Sequence, residues 1–170
     1  YKTPGGHRRI RRNDFVAFLK KYKLPFPRGL TKTVPIILIV EDEELAVKKL
    51  QKTLAAVDSS VEVVGTADSI KSTVEWLHEN KQPDLILMDI ELADGQSFEI
   101  FNLTEVKSPV IFTTSYDEYA LKAFKVNSID YLLKPVQKDE LQAALNKFQK
   151  LKTNGDVNID NLVKELQQKL

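Results

Sequence analysis

The stretch Leu85-Ile86-Leu87-Met88-Asp89-Ile90-Glu91 sets four apolar residues directly against a lone aspartate. Such a run reads as a strand buried on both faces, as in a parallel sheet with helices above and below. Removing an unpaired carboxylate from water is costly, so Asp89 belongs at the end of its strand, beside a cation. The rest of the chain has to supply that cation and the neighbouring strands.

Outward from this stretch the sequence alternates between strand and helix. PIILIV, from Pro35 to Val40, reads as a first buried strand, followed by a helix from Glu44 to Val57 with Leu45, Leu50 and Leu54 at helical spacing. A second strand is expected from Val61 to Thr66 and a second helix from Ser69 to Asn80, with Ser69 as its N-cap. The third strand, from Asp84 to Met88, leads to a helix around Ser97 to Leu103. Strands from Pro109 to Thr114 and from Asp130 to Leu133 follow, with helices from Tyr116 to Lys125 and from Lys138 to Lys152. Five strand-then-helix repeats imply an α/β fold, a five-stranded parallel sheet with helices on both faces.

In such sheets ligands bind at the carboxyl ends of the strands. Those ends carry Glu41 and Asp42 after the first strand, Asp89 after the third, Thr113 and Thr114 on the fourth, and Lys134-Pro135 after the fifth. Lys134 is therefore the cation that Asp89 requires. Three clustered carboxylates repel one another, and hard oxygen donors of this kind suit Mg2+ or Mn2+. A carboxylate beside such an ion is a candidate nucleophile for phosphoryl transfer, with Lys134 and Thr114 available to phosphoryl oxygens.

Charge divides the chain. Residues 1–33 hold ten Lys or Arg against one acid, Asp14, which leaves 15 basic and 23 acidic residues of the chain totals of 25 and 24. Two units with different partners are implied, joined near Leu24-Pro25-Phe26-Pro27-Arg28-Gly29. With no cysteine, no signal-peptide pattern and no membrane-length apolar run, the expected setting is cytoplasmic.

From Val34 to about Lys152 the motifs ILIVEDE, LILMDIELADG, PVIFTTS and DYLLKP stand in an order and spacing that resemble the receiver domain of two-component response regulators. The wording YDEYALKAFKVNSIDYLLKP is most similar to receivers that precede a LytTR DNA-binding domain. The resemblance implies a flavodoxin-like sheet in 2-1-3-4-5 order. It implies Asp89 as phosphoacceptor from a sensor histidine kinase, Glu41, Asp42, Asp89 and the Glu91 carbonyl as the Mg2+ shell, and a cis peptide at Lys134-Pro135. Thr114 and Tyr131 become the switch residues. They act on the face formed by the fourth helix, fifth strand and fifth helix, through which a homodimer forms. Ser115 departs from the alanine usual in the family.

The ends read differently. TPGGHRRIRR contains a tight turn at Pro4-Gly5-Gly6, then Asn13 as a cap for a helix that carries Phe15, Phe18, Leu19 and Tyr22 on one side. It resembles the wing and last helix of an excisionase or MerR-like winged helix, which implies that Arg8, Arg9, Arg11 and Arg12 contact DNA phosphates and that a recognition helix precedes Tyr1. Residues 153–170 are expected to form a linker helix, with Leu162, Val163, Leu166 and Leu170 on one face. Two other function classes compete with a switch. A receiver fold that binds partners without phosphorylation is weakened by the filled site. An aspartyl-phosphate phosphohydrolase is disfavoured because Ile90-Glu91 replaces the DxD pattern and no substrate cap is inserted. The chain therefore reads as a regulatory phosphoacceptor, not an enzyme acting on a separate substrate.

Overall fold

The computed structural model describes residues 21–22, 34–116, 126 and 128–152. The chain divides into two compact units, Tyr1–Thr33 and Val34–Leu170, and every element below belongs to the second. The arginine-rich segment with Arg8, Arg9, Arg11 and Arg12, residues 117–125 of the expected fourth helix and the linker at 153–170 lie outside the described residues.

Five strands form the sheet: β1 (Ile36–Val40), β2 (Glu62–Ala67), β3 (Leu85–Asp89), β4 (Val110–Thr114) and β5 (Ser128–Leu133). All neighbours run parallel, in the order β2-β1-β3-β4-β5. The apolar runs of β1, β3 and β4 suit the three inner positions that these strands occupy. Ile37 to Val40 and Leu85 to Met88 are fully buried, because both faces of these strands are covered.

Strand alternation sorts these residues into two layers. Leu38, Val40, Ile86 and Met88 pack on one side with Ile70 and Leu77 of helix α2 (Ile70–Glu79) and with Ile100. Ile37, Ile39, Leu85 and Leu87 pack on the other with Leu50 and Leu54 of α1 (Glu44–Val57) and with Leu141, Leu145 and Phe148 of a last helix, 138–152. Helices therefore lie on both faces of the sheet.

Local chemistry sets the ends of α2. Ser69 caps it reciprocally with Ser72: the Ser72 N–H donates to Ser69 Oγ and the Ser69 N–H to Ser72 Oγ, both at 3.1 Å. Gly65 on β2 lets the Trp76 ring close over the strand. A Cβ at Gly65 would lie 2.5 Å from Trp76 Nε1. At the opposite end of the sheet Asp84 accepts the Ile36 N–H (3.0 Å) and pairs with Lys152 Nζ (2.9 Å). Burial opposes ionisation of Asp84, but these two donors outweigh it and hold its pKa below the ordinary aspartate value.

Three expectations need correction. Leu45 is 72% exposed, because the first turn of α1 overhangs the carboxyl edge of the sheet, and the inward stripe begins at Val47 and Leu50. Residues 97–103 begin as a 3-10 turn, Ser97–Glu99, before the helical turn Ile100–Leu103. Strand β5 starts at Ser128, two residues earlier than expected, because its first residues pair with Val110 and Ile111 despite their polarity. No described helix is long and apolar enough to cross a membrane.

Candidate functional site

The carboxyl edge of the sheet gathers the predicted residues. β1 ends at Val40, and the Glu41 N–H extends the ladder to the Ala67 carbonyl at 2.9 Å, which holds Glu41 and Asp42 over the sheet. Asp89 is the last residue of β3 and is 5% exposed. Lys134 follows β5, its N–H donating to the Thr114 carbonyl at 2.7 Å. The Lys134-Pro135 peptide is cis, as the resemblance implies.

Lys134 Nζ stands 2.5 Å from Asp89 Oδ2 and 2.7 Å from Glu41 Oε2. This is the cation that the buried carboxylate requires. Burial raises the Glu41 pKa, as does the neighbouring charge of Asp89, and the Lys134 hydrogen bond opposes them without prevailing. Burial disfavours the charged form of Lys134, yet the hydrogen bonds to Asp89 and Glu41 prevail and raise its pKa above the ordinary lysine value.

Glu41, Asp42 and Asp89 each place a carboxylate oxygen within 4.8 Å of the others. Two buried acids and an exposed one around a common point, all hard oxygen donors, fit Mg2+ or Mn2+. One lysine shared by two carboxylates leaves the acids in excess. A cleft of about 540 Å3, lined in part by Glu41, Lys49, Ser115, Lys134 and Pro135, opens the site on one side. A second, of about 330 Å3, lies between Asp42, Asp68 and Ser72.

The expected switch residues are linked through the backbone of one residue, Tyr116. Thr114 is fully buried, and its Oγ1 accepts the Tyr116 N–H at 3.3 Å. The Tyr131 hydroxyl donates to the Tyr116 carbonyl. Tyr116 itself is half exposed.

One feature escaped the reading of the sequence. Glu91–Leu92 pairs antiparallel with Gly95–Gln96, a short ribbon immediately after Asp89. Gln96 Nε2 donates to Glu91 Oε1 at 3.0 Å, and Asp94 accepts the Ile70 and Lys71 N–H groups at 2.8 and 3.1 Å. Gly95 takes a φ of +136°, which side-chain-bearing residues rarely adopt. The dipeptide Asp94-Gly95 was the available signal for a turn.

A family model for the response regulator receiver domain matches residues 37–146. The chain belongs to this receiver family. The chain is 42% identical over 119 residues to the sensory transduction protein LytT of Bacillus anthracis, covering 68% of this chain and 48% of that protein. It is 33% identical over 132 residues to the transcriptional regulatory protein LytR of Staphylococcus aureus, covering 76% and 53%. The chain thus spans about half the length of the curated relatives it matches. Among solved structures, the signal receiver domain of a modulated diguanylate cyclase from Desulfovibrio desulfuricans superposes with a TM-score of 0.61 at 30% identity, over 72% of this chain and 99% of that one.

Proposed function

We propose that this receiver is the phosphorylation switch of a two-component regulator, with Asp89 as phosphoacceptor and a sensor histidine kinase as donor. The observation that carries the proposal is the triad of Glu41, Asp42 and Asp89 with Lys134 held against two of its members. A carboxylate oxygen of Asp89 attacks phosphorus, the bond from phosphorus to the donor's histidine nitrogen breaks, and the electron pair leaves with the imidazole. Lys134 then follows its charge partner, pairing with a phosphoryl oxygen in place of the neutralised carboxylate. Bound Mg2+ or Mn2+ offsets the charge on the transferring group. Glu41, Asp42, Asp89 and the Glu91 carbonyl are the residues that hold it.

Thr114 reports the new group. Its hydroxyl donates to a phosphoryl oxygen, the hydrogen bond it accepts from Tyr116 is redrawn, and Tyr131 responds through the Tyr116 carbonyl. The output is dimerisation through the face of the fourth helix, fifth strand and fifth helix, and with it control of transcription. DNA contact falls to the basic unit 1–33 through Arg8, Arg9, Arg11 and Arg12, or to an effector domain outside this chain. Residues 34–152 act as the receiver and 153–170 as a linker helix. The protein works in the cytoplasm as a regulator whose only substrate is its own phosphoacceptor.

Intact mass after incubation with Mg2+ and acetyl phosphate tests this. The expected result is a gain of one phosphoryl group in the wild type and none in Asp89→Asn. No gain with any divalent ion would move the weight to a binding module that works without phosphorylation.

A further inference from the structure

The acid pocket is flanked by two loops. One, from Ala67 to Ser69, joins β2 to α2 and is tied to Glu41 through the Ala67 carbonyl. The other is the ribbon Glu91–Leu92 and Gly95–Gln96, which leaves Asp89 directly and carries the Glu91 carbonyl. Asp94, 24 and 23 residues away in sequence from Ile70 and Lys71, joins the turn of the ribbon to the first turn of α2, which follows the other loop directly. Its two carboxylate oxygens each take a different N–H from the first turn of α2, groups that no residue within the helix can satisfy.

The interaction is a charge-assisted pair of hydrogen bonds at the positive end of a ten-residue helix. The α2 helix already has its own local cap in Ser69, which takes the Ser72 N–H. Asp94 therefore is not needed to start the helix, and its geometry serves the ribbon instead. Between the Asp94 clamp and the Ser97 N–H bond to the Ile90 carbonyl (2.8 Å), the ribbon is fixed at both ends. The Gln96 to Glu91 side-chain bond braces it across.

We infer that Asp94 is a positioning residue for divalent-cation binding: it clasps the ribbon to the N-terminus of α2 and so holds the Glu91 carbonyl in place before the ion arrives. The inference rests on the metal site proposed above. Without the clasp, the ion must order the ribbon itself, and the entropy of that ordering is subtracted from its affinity. Removing a group that orients a ligand typically weakens metal binding by roughly tenfold or more.

The test is the Mn2+ dissociation constant of the whole 170-residue chain, read from loss of the free-ion electron paramagnetic resonance signal, with thermal stability measured in parallel. Asp94→Ala is expected to weaken Mn2+ binding by roughly tenfold. Asp94→Asn, which keeps one acceptor oxygen for the Ile70 N–H, should recover most of that loss. Ser69→Ala, which removes the local cap but leaves the ribbon clamped, should lower the melting temperature and leave the Mn2+ affinity unchanged. Equal affinity in wild type and Asp94→Ala would overturn the inference while leaving the metal site intact. Equal weakening by Ser69→Ala would reduce Asp94 to a helix cap and overturn it too. A wild type that binds no Mn2+ saturably would overturn the metal site, and the clasp's role with it.

Discussion

At the scale of single residues, the balance of charge at Lys134 decides whether the site can exist before any ion binds. The side chains of Glu41 and Asp89 are only 2% and 7% accessible, and Lys134 meets both. Taking away the lysine leaves two buried acids facing each other, a change that costs about 3–5 kcal/mol where one partner of a buried pair is lost. Lys134→Met should therefore lower the urea midpoint, and Mg2+ should restore part of the loss. The deficit has a sign in pH. Glu41 already titrates above the ordinary glutamate value, and without the lysine it loses the hydrogen bond that opposes this rise, so its protonated form costs nothing extra and its ionised form is penalised. The loss should be small near pH 4 and grow toward pH 7. A midpoint that is unchanged at pH 7 would mean the acids balance without the lysine. The need for a cation at Asp89 was legible in LILMDIE, since it follows from the cost of burying a carboxylate. That the same lysine also serves Glu41 was not, because the sequence does not give the distance between two loops.

At the scale of elements, periodicity located most of the helices and strands, and its failures have physical causes. The bounds of α1 and the Ser69 cap were read correctly because apolar spacing and capping chemistry are both local. Leu45 was misplaced because helical spacing reports a face, and the sheet beneath that face ends before the first turn of the helix. The ribbon after Asp89 was missed because two-residue strands carry no period at all. The Gly65 contact is equally silent in sequence, since it depends on α2 crossing β2 at that position. It yields a sharp expectation. Gly65→Ala would force its Cβ against the Trp76 ring, and overpacking of this kind costs about 1–3 kcal/mol. Trp76 is the only tryptophan in the chain, so its emission should shift together with a lowered thermal midpoint. An unchanged spectrum with wild-type stability would show that the ring yields freely.

At the scale of the whole molecule, the parallel sheet could be inferred from alternation, but the order of its strands could not. Any arrangement with right-handed crossovers fits five strand-helix repeats, and the 2-1-3-4-5 order came from the family resemblance alone. That order matters because it sets β1 and β3 side by side at the centre, so that Glu41 and Asp42 emerge next to Asp89. The carboxylate cluster proposed to hold the ion is thus a property of the assembled sheet and absent from the unfolded chain. Binding to the folded form alone adds RT ln(1 + [L]/Kd) to stability, about 2.7 kcal/mol at one hundred times Kd. Mg2+ should accordingly raise the denaturation midpoint of the wild-type receiver in proportion to the logarithm of its concentration. Asp42 is the exposed member of the triad, so Asp42→Asn should fold normally and lose this dependence. Sodium chloride at matched ionic strength separates the effect from screening. If the variant gains as much from Mg2+ as the wild type, the ion is acting on the general charge of the acidic unit, and the three strand-end carboxylates do not form its site.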